Sequence, residues 1–95
     1  MESIYDYVVQ VLAETCDIEP QDITEETNFF SDLGIESVDF LDVVYELDKH
    51  YKVTIPVGRW MSEINEGDEP EVEHFVMDNF VRAITSLINE SLNVA

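Results

Sequence analysis

Basic residues are almost absent from the sequence. Only four occur, against 22 Asp and Glu, so the formal net charge at pH 7 is −18. This balance excludes binding to nucleic acid or to an anionic membrane surface through a basic patch. So acidic a surface instead suits partner proteins that carry basic patches, although acidity also serves simply to keep a small protein soluble.

Cysteine is equally scarce, since Cys16 is the only one in the chain. No intramolecular disulfide and no thiolate metal cluster can form, which favours a reducing compartment. The first residues lack the basic and apolar segments of a secretory signal, and no apolar run approaches membrane-spanning length. We expect a cytoplasmic monomer that inserts into no membrane.

Histidine is limited to His50 and His74, which restricts enzymatic chemistry. A nucleophilic serine needs a neighbouring base, but His50 follows Ser37 by thirteen residues. At about 1.5 Å per helical residue the two lie roughly 20 Å apart, beyond hydrogen-bond reach. The acidic residues also match no calcium loop, so we expect neither catalysis by the polypeptide nor a dedicated metal site.

Apolar residues make up 45% of the chain, enough for one globular domain over residues 1–95. Helical spacing of apolar residues predicts helices over about 3–16, 37–51 and 57–64, and a last helix from about 70 to 91 with Pro70 in its first turn. Ser3 and Asp6 resemble a capping box, and Pro20 limits the first helix. Residues 21–36 read as a loop, with Gly34 in a turn that needs positive φ. The prediction is an all-α fold.

The second predicted helix carries two apolar stripes, which predicts burial over a wide arc. One stripe contains Val38, Leu41 and Tyr45, and the other contains Phe40, Val43, Val44, Leu47 and Tyr51. The remaining positions form an exposed strip that is nearly all acidic: Asp39, Asp42, Glu46, Asp48 and Lys49. A charge run of this kind is commonly just a solvated helix face.

Ser37 stands where the glycine-containing loop meets the second helix, and two interpretations are open. One is an ordinary N-cap, whose side-chain oxygen accepts a bond from an amide of the first turn. The other is a hydroxyl exposed for covalent attachment, because a phosphate ester there would meet free amides and the positive end of the helix dipole.

The run Asp32-Leu33-Gly34-Ile35-Glu36-Ser37-Val38, followed by an acidic helix and by Val53-Thr54-Ile55-Pro56, resembles the acyl carrier proteins. The resemblance implies a small acidic four-helix bundle that carries 4′-phosphopantetheine on Ser37. It also implies partners with basic patches, namely a phosphopantetheinyl transferase and acyl-processing synthases and acyltransferases, which would be met by Glu36, Asp39, Asp42 and Glu46. Glu36 replaces the usual aspartate before the serine, and Val38 the usual leucine after it.

The second half of the chain, from Pro56 to Gly67 and from His74 to Phe80, is similar to the specialised carriers that deliver very long hydroxylated acyl chains to lipid A. The resemblance therefore implies a role in fatty acid or lipid A biosynthesis, with an extra short helical segment before the long C-terminal helix. Candidates for lining an acyl-chain space are Phe40, Leu41, Val44, Trp60, Met61, Ile64, Phe75 and Val76, although each also suits an ordinary core. The alternative function is an acidic helical adaptor that binds proteins without a prosthetic group.

Overall fold

The computed structural model describes residues 3–65 and 74–93, and the regular elements within them are helical. The α-helices are α1 (Ile4–Cys16), α2 (Ser37–Tyr51), α3 (Val57–Asn65) and α4 (Met77–Asn93). One turn of 3-10 helix, Pro20–Asp22, follows α1. The all-α prediction is confirmed, with a short helix before a long C-terminal one. Within these ranges no helix combines the length and apolar character that crossing a membrane requires.

Helix α1 begins where the capping box predicts. The Ser3 hydroxyl accepts a bond from the Asp6 amide (3.1 Å), which satisfies one of the unpaired amides of the first turn. The helix ends at Cys16, and the next residue, Asp17, caps it in the left-handed conformation. Val8 and Leu12 are fully buried on one face, and through this face α1 packs against α2 and α4.

Four fully buried phenylalanines form the centre of the core: Phe29, Phe40, Phe75 and Phe80. The Phe29 ring centroid lies 5.1 Å from those of Phe40 and Phe80, and the Phe40 centroid lies 5.5 Å from those of Phe75 and Phe80. Such pairs contribute about 0.5–1.5 kcal/mol each beyond the burial of their area. The cluster therefore ties the loop before α2 to α2 itself and to α4.

The last helix starts later than the apolar pattern predicts, at Met77 rather than near residue 70. The segment before it pairs with the loop instead: the Phe29 amide donates to the Phe75 carbonyl (2.9 Å) and the Met77 amide to the Thr27 carbonyl (2.8 Å). These bonds, with an isolated bridge between Asn28 and Val76, use backbone groups that a continuous helix would need internally. The predicted caps and Pro70 lie outside the described residues.

Candidate functional site

A tight turn leads the chain into α2. The Gly34 amide donates to the Phe30 carbonyl and the Ile35 amide to the Phe29 carbonyl, both at 3.1 Å. Gly34 has φ of +67°, and a β-carbon there would meet no atom within 4 Å. The backbone conformation rather than a lack of space therefore favours glycine, as the sequence predicted. Ile35 is buried, whereas the next two residues are exposed.

Asn28 and Asp32 stabilise this turn, and our reading of the sequence missed the role of Asn28. The Asp32 carboxylate accepts a bond from the Asn28 amide (2.8 Å). The Asn28 side-chain oxygen in turn accepts from the amides of Phe30 (2.9 Å) and Ser31 (3.0 Å). The side chains of Asn and Asp commonly form hydrogen bonds to nearby backbone in turns. The presence of Asn28 four residues before Asp32 could therefore have predicted these bonds. Asp32 thus has a structural role within the motif.

Ser37 is the first residue of α2, not its N-cap. Glu36 occupies the cap position with an extended backbone (φ −76°, ψ 149°) and no capping bond from its side chain, while its carbonyl accepts from the Phe40 amide (2.9 Å). The ordinary N-cap interpretation of Ser37 is therefore wrong. Its exposed side chain sits at a helix start whose amides and dipole favour an anion.

Three of the four carboxylates that follow Ser37 in α2 were predicted to meet partners, and their environments differ. Asp42 is exposed, whereas Asp39 and Glu46 are half-buried. Burial, and then the charges of Asp39 and Asp42, raise the pKa of the Cys16 thiol, so the end of α1 lies within electrostatic reach of these carboxylates. Glu46 forms an ion pair with the exposed side chain of Lys49 (3.6 Å).

Asp48 does not belong to the exposed strip in which we predicted it. It is half-buried, and its carboxylate accepts a bond from the Ile55 amide (2.9 Å). Burial raises its pKa, and the bond from Ile55 lowers it by less. Its role is to hold the chain that leaves α2.

The prediction that both apolar stripes of α2 are buried is also wrong. Phe40, Val43, Val44 and Leu47 are buried, but Val38, Leu41 and Tyr45 are 60%, 44% and 64% exposed. The exposed residues alternate along the helix with Asp39 and Asp42. Periodicity identifies an apolar face of a helix but does not say what covers that face. In this fold no part of the described chain buries the face formed by Val38, Leu41 and Tyr45.

Of the residues proposed to line an acyl-chain space, Phe40, Val44, Trp60 and Phe75 are buried, and Met61 and Val76 are half-buried. Leu41 lies instead on the exposed side of α2, so it does not share this interior. The Ile64 side chain lies outside the described residues. Trp60 stacks on His74 with ring centroids 4.3 Å apart and planes 2° apart, and it meets the rings of Phe75 and Phe80 edge-on.

Both histidines are engaged in aromatic packing. His50 stacks on Tyr7 of α1 with centroids 3.9 Å apart, which joins the C-terminal end of α2 to α1. His74 stacks on Trp60 and so joins the segment before α4 to α3. Among residues 3–65 and 74–93, no group of three or more His, Cys, Asp or Glu side chains is arranged to hold a metal ion.

The sequence is similar to a known family and to several known proteins. Residues 6–63 match the family described as "Phosphopantetheine attachment site". The chain is 42% identical over 88 residues to Acyl carrier protein AcpXL of Brucella melitensis, covering 93% of this chain and 95% of that protein. It is 40% identical over 87 residues to the protein of the same name from Rhizobium etli, covering 92% and 95%. The Acyl carrier protein of Wolinella succinogenes is 32% identical over 54 residues, or 57% of this chain and 71% of that protein.

Proposed function

The chain belongs to the acyl carrier protein family, whose members carry covalently attached 4′-phosphopantetheine, and we propose that Ser37 is the attachment residue. One observation carries this assignment: the Gly34 turn delivers Ser37 to the start of α2 with its side chain exposed. The residues present fit the group, because a phosphate ester at this position would face unpaired helix amides.

When bound, the prosthetic group supplies the thiol that forms a thioester with an acyl chain. The polypeptide's part is to position the arm and to be recognised. Its buried aromatic core and the hydrogen bonds of the Asn28 turn hold Ser37 at a fixed place on the surface. Family membership agrees with these separate roles of the polypeptide and the prosthetic group, since acyl carrier proteins act as carriers and not as catalysts.

Intact mass spectrometry tests the assignment. The native chain, incubated with coenzyme A, magnesium and a phosphopantetheinyl transferase, gains the mass of one phosphopantetheinyl group. Ser37→Ala gains none, whereas Ser31→Ala, which removes another exposed hydroxyl from the preceding turn, gains the full mass. An unmodified native chain would instead favour the alternative of an adaptor without a prosthetic group.

The exposed face of α2 is the proposed meeting surface for partner enzymes. Its exposed apolar residues, Val38, Leu41 and Tyr45, lie among carboxylates that include Asp39, Asp42 and Glu46, with Glu36 at the helix start. Carboxylates speed encounters with basic patches in a salt-dependent way, while a small apolar contact adds modest affinity. Fast and weak encounters suit a monomeric cytoplasmic carrier that must release its cargo to one enzyme after another.

For the cargo, we propose a very long acyl chain destined for lipid A. Two observations support this choice. The relatives named AcpXL align with more than nine-tenths of the chain, whereas the Wolinella protein aligns with 57% of it. In addition, Trp60 and its stacked partner His74 border the aromatic core and would form an adjustable wall beside a long chain.

Thermal unfolding of loaded forms tests the cargo. Each methylene sheltered between helices contributes about 0.8 kcal/mol, so we expect the melting temperature to rise with acyl length and to continue rising for very long chains. Trp60→Ala should weaken the dependence on length. A melting temperature that is the same for short and very long acyl groups would contradict the proposed cargo while leaving the attachment site intact.

A further inference from the structure

Helices α1 and α2 begin in different ways. At α1 the Ser3 hydroxyl accepts a bond from the Asp6 amide (3.1 Å), so a side chain satisfies part of the first turn. At α2 the cap position is held by Glu36, which has the extended backbone of an N-cap but makes no capping bond through its side chain. Glutamate is one methylene longer than aspartate, which is among the preferred caps. The cap residue of α2 therefore leaves the first turn of its helix unsatisfied.

The first amides of α2 are open. The Phe40 amide donates to the Glu36 carbonyl (2.9 Å), whereas the three amides before it, those of Ser37, Val38 and Asp39, donate to no acceptor in the described part of the chain. Unpaired amides and the positive end of the helix dipole coincide there. The side chains of Ser37 and Val38 are exposed, so these amides lie at the surface beside the proposed attachment hydroxyl.

We propose that Glu36 keeps these amides open for the phosphodiester of the attached group, so that loading the chain also caps α2; the inference rests on the proposed attachment at Ser37. In loading, the Ser37 oxygen forms a bond to the pantetheine-bearing phosphorus of coenzyme A. The bond from that phosphorus to the departing adenosine bisphosphate breaks, and the hydroxyl proton is released. The resulting ester is an anion with free oxygens, and a phosphate at a helix N-terminus accepts charge-assisted hydrogen bonds from it.

An aspartate in place of Glu36 would compete with the ester. Its shorter side chain reaches an amide of the first turn and so takes a bond that the phosphate oxygens would otherwise accept. Glu36 therefore acts as a positioning residue, because it leaves the helix start available to the group on the next residue. The start of α2 is uncapped by side chains before loading and capped by the ester after it.

Thermal unfolding of the full chain before and after loading tests the role of Glu36 with two pairs of proteins matched in charge. Before loading, Glu36→Asp should melt about 4–8 °C above the native chain, and Glu36→Asn above Glu36→Gln by a similar amount, as expected for one added cap. Loading should raise the melting temperature more in the native chain than in Glu36→Asp, and more in Glu36→Gln than in Glu36→Asn. Glu26→Asp, the same change at an exposed position, should behave as the native chain does.

Nuclear magnetic resonance of the same proteins locates the effect. Loading should move the amide proton signals of Val38 and Asp39 downfield in the native chain, and less in Glu36→Asp. Equal gains in melting temperature within either pair, or amide signals that do not move on loading, would overturn the inference. Mass spectrometry separates the two failures. A native chain that gains no phosphopantetheinyl mass contradicts the proposed function, whereas a chain loaded at Ser37 without the expected differences contradicts the inference alone.

Discussion

Asp48 holds the end of α2 to the connection that follows, through the bond its carboxylate accepts from the Ile55 amide. Burial raises its pKa above the ordinary value of 3.8, so the folded protein retains this proton more strongly than the unfolded chain. Ionisation of Asp48 therefore lowers the stability as pH rises from about 3.8 through the raised pKa.

We expect Asp48→Asn, which keeps an oxygen acceptor for the amide, to match the native chain below pH 3.8 and to gain in relative stability as the pH rises to 7. Asp48→Ala should lose about 1–3 kcal/mol, because the Ile55 amide loses its partner. Urea-induced unfolding at a series of pH values measures the unfolding free energy of both variants. Asp22→Asn, at an exposed position, corrects for the general loss of negative charge, and a gain equal to that of Asp22→Asn would contradict the role given to burial.

Cys16 should be an unreactive thiol. Burial and the charges of Asp39 and Asp42 raise its pKa, which lowers the thiolate fraction near pH 8. We expect alkylation by iodoacetamide to be several-fold slower in the folded apo protein than in urea, and to be faster in Asp42→Asn than in Asp22→Asn. Mass spectrometry follows the reaction. Equal alkylation rates in the folded and unfolded chains would show that Cys16 is not shielded in this way.

At the scale of elements, two adjacent residues of α2 lie on different faces, one in the core and one on the face proposed to meet partners. Phe40 is fully buried and Leu41 is 44% exposed. Phe40→Ala should cost about 3–5 kcal/mol of unfolding free energy, whereas Leu41→Ala should change it by about 0.5 kcal/mol or less. Chemical denaturation of the apo protein measures both changes.

Leu41→Ala should nevertheless slow the transfer of phosphopantetheine to Ser37 at low carrier concentration, because its side chain lies on the proposed meeting surface. Thr54→Ala, at an exposed position beyond α2, is the matched control. A large loss of stability in Leu41→Ala would place this residue in the core, and an unchanged transfer rate would remove it from the partner surface.

The helices differ in how far local sequence determined them. The bounds of α2 were predicted correctly, because both ends of this helix are determined by residues close to them in the sequence. These are the glycine turn before the helix, the apolar period within it and the residues that follow Tyr51. The start of α4 was not, since Phe75 and Met77 bond to the loop before α2, nearly fifty residues earlier in the chain. The exposure of Val38, Leu41 and Tyr45 was missed for a similar reason, because the extent of burial depends on which elements pack together.

At the scale of the whole molecule, the excess of negative charge produces self-repulsion. A formal net charge of −18 over 95 residues opposes compaction, and added salt screens it. Raising the ionic strength from about 0.01 M to about 0.1 M shortens the Debye length from about 30 Å to about 10 Å. If screening contributes about 1 kcal/mol, the melting temperature of the apo protein should rise by about 4–8 °C. A melting temperature that falls with added NaCl would contradict this account.

The sequence singled out Ser37, the proposed attachment residue, but it predicted less about the residues that surround it. The run from Asp32 to Val38 predicted the glycine turn and the start of α2 at Ser37, because a tight loop and a helix start are set by neighbouring residues. The stack of His50 on Tyr7 and the stack of His74 on Trp60 were not foreseen. Each joins residues that lie well apart in the chain, and no local pattern records such a contact.

The central claim is that the phosphopantetheine of this carrier is attached at Ser37. Tandem mass spectrometry of proteolytic fragments from the protein loaded by a phosphopantetheinyl transferase tests it most directly. We predict a single modified fragment whose ions place the added mass on Ser37. Modification mapped to Ser31 or to any other residue would contradict the account.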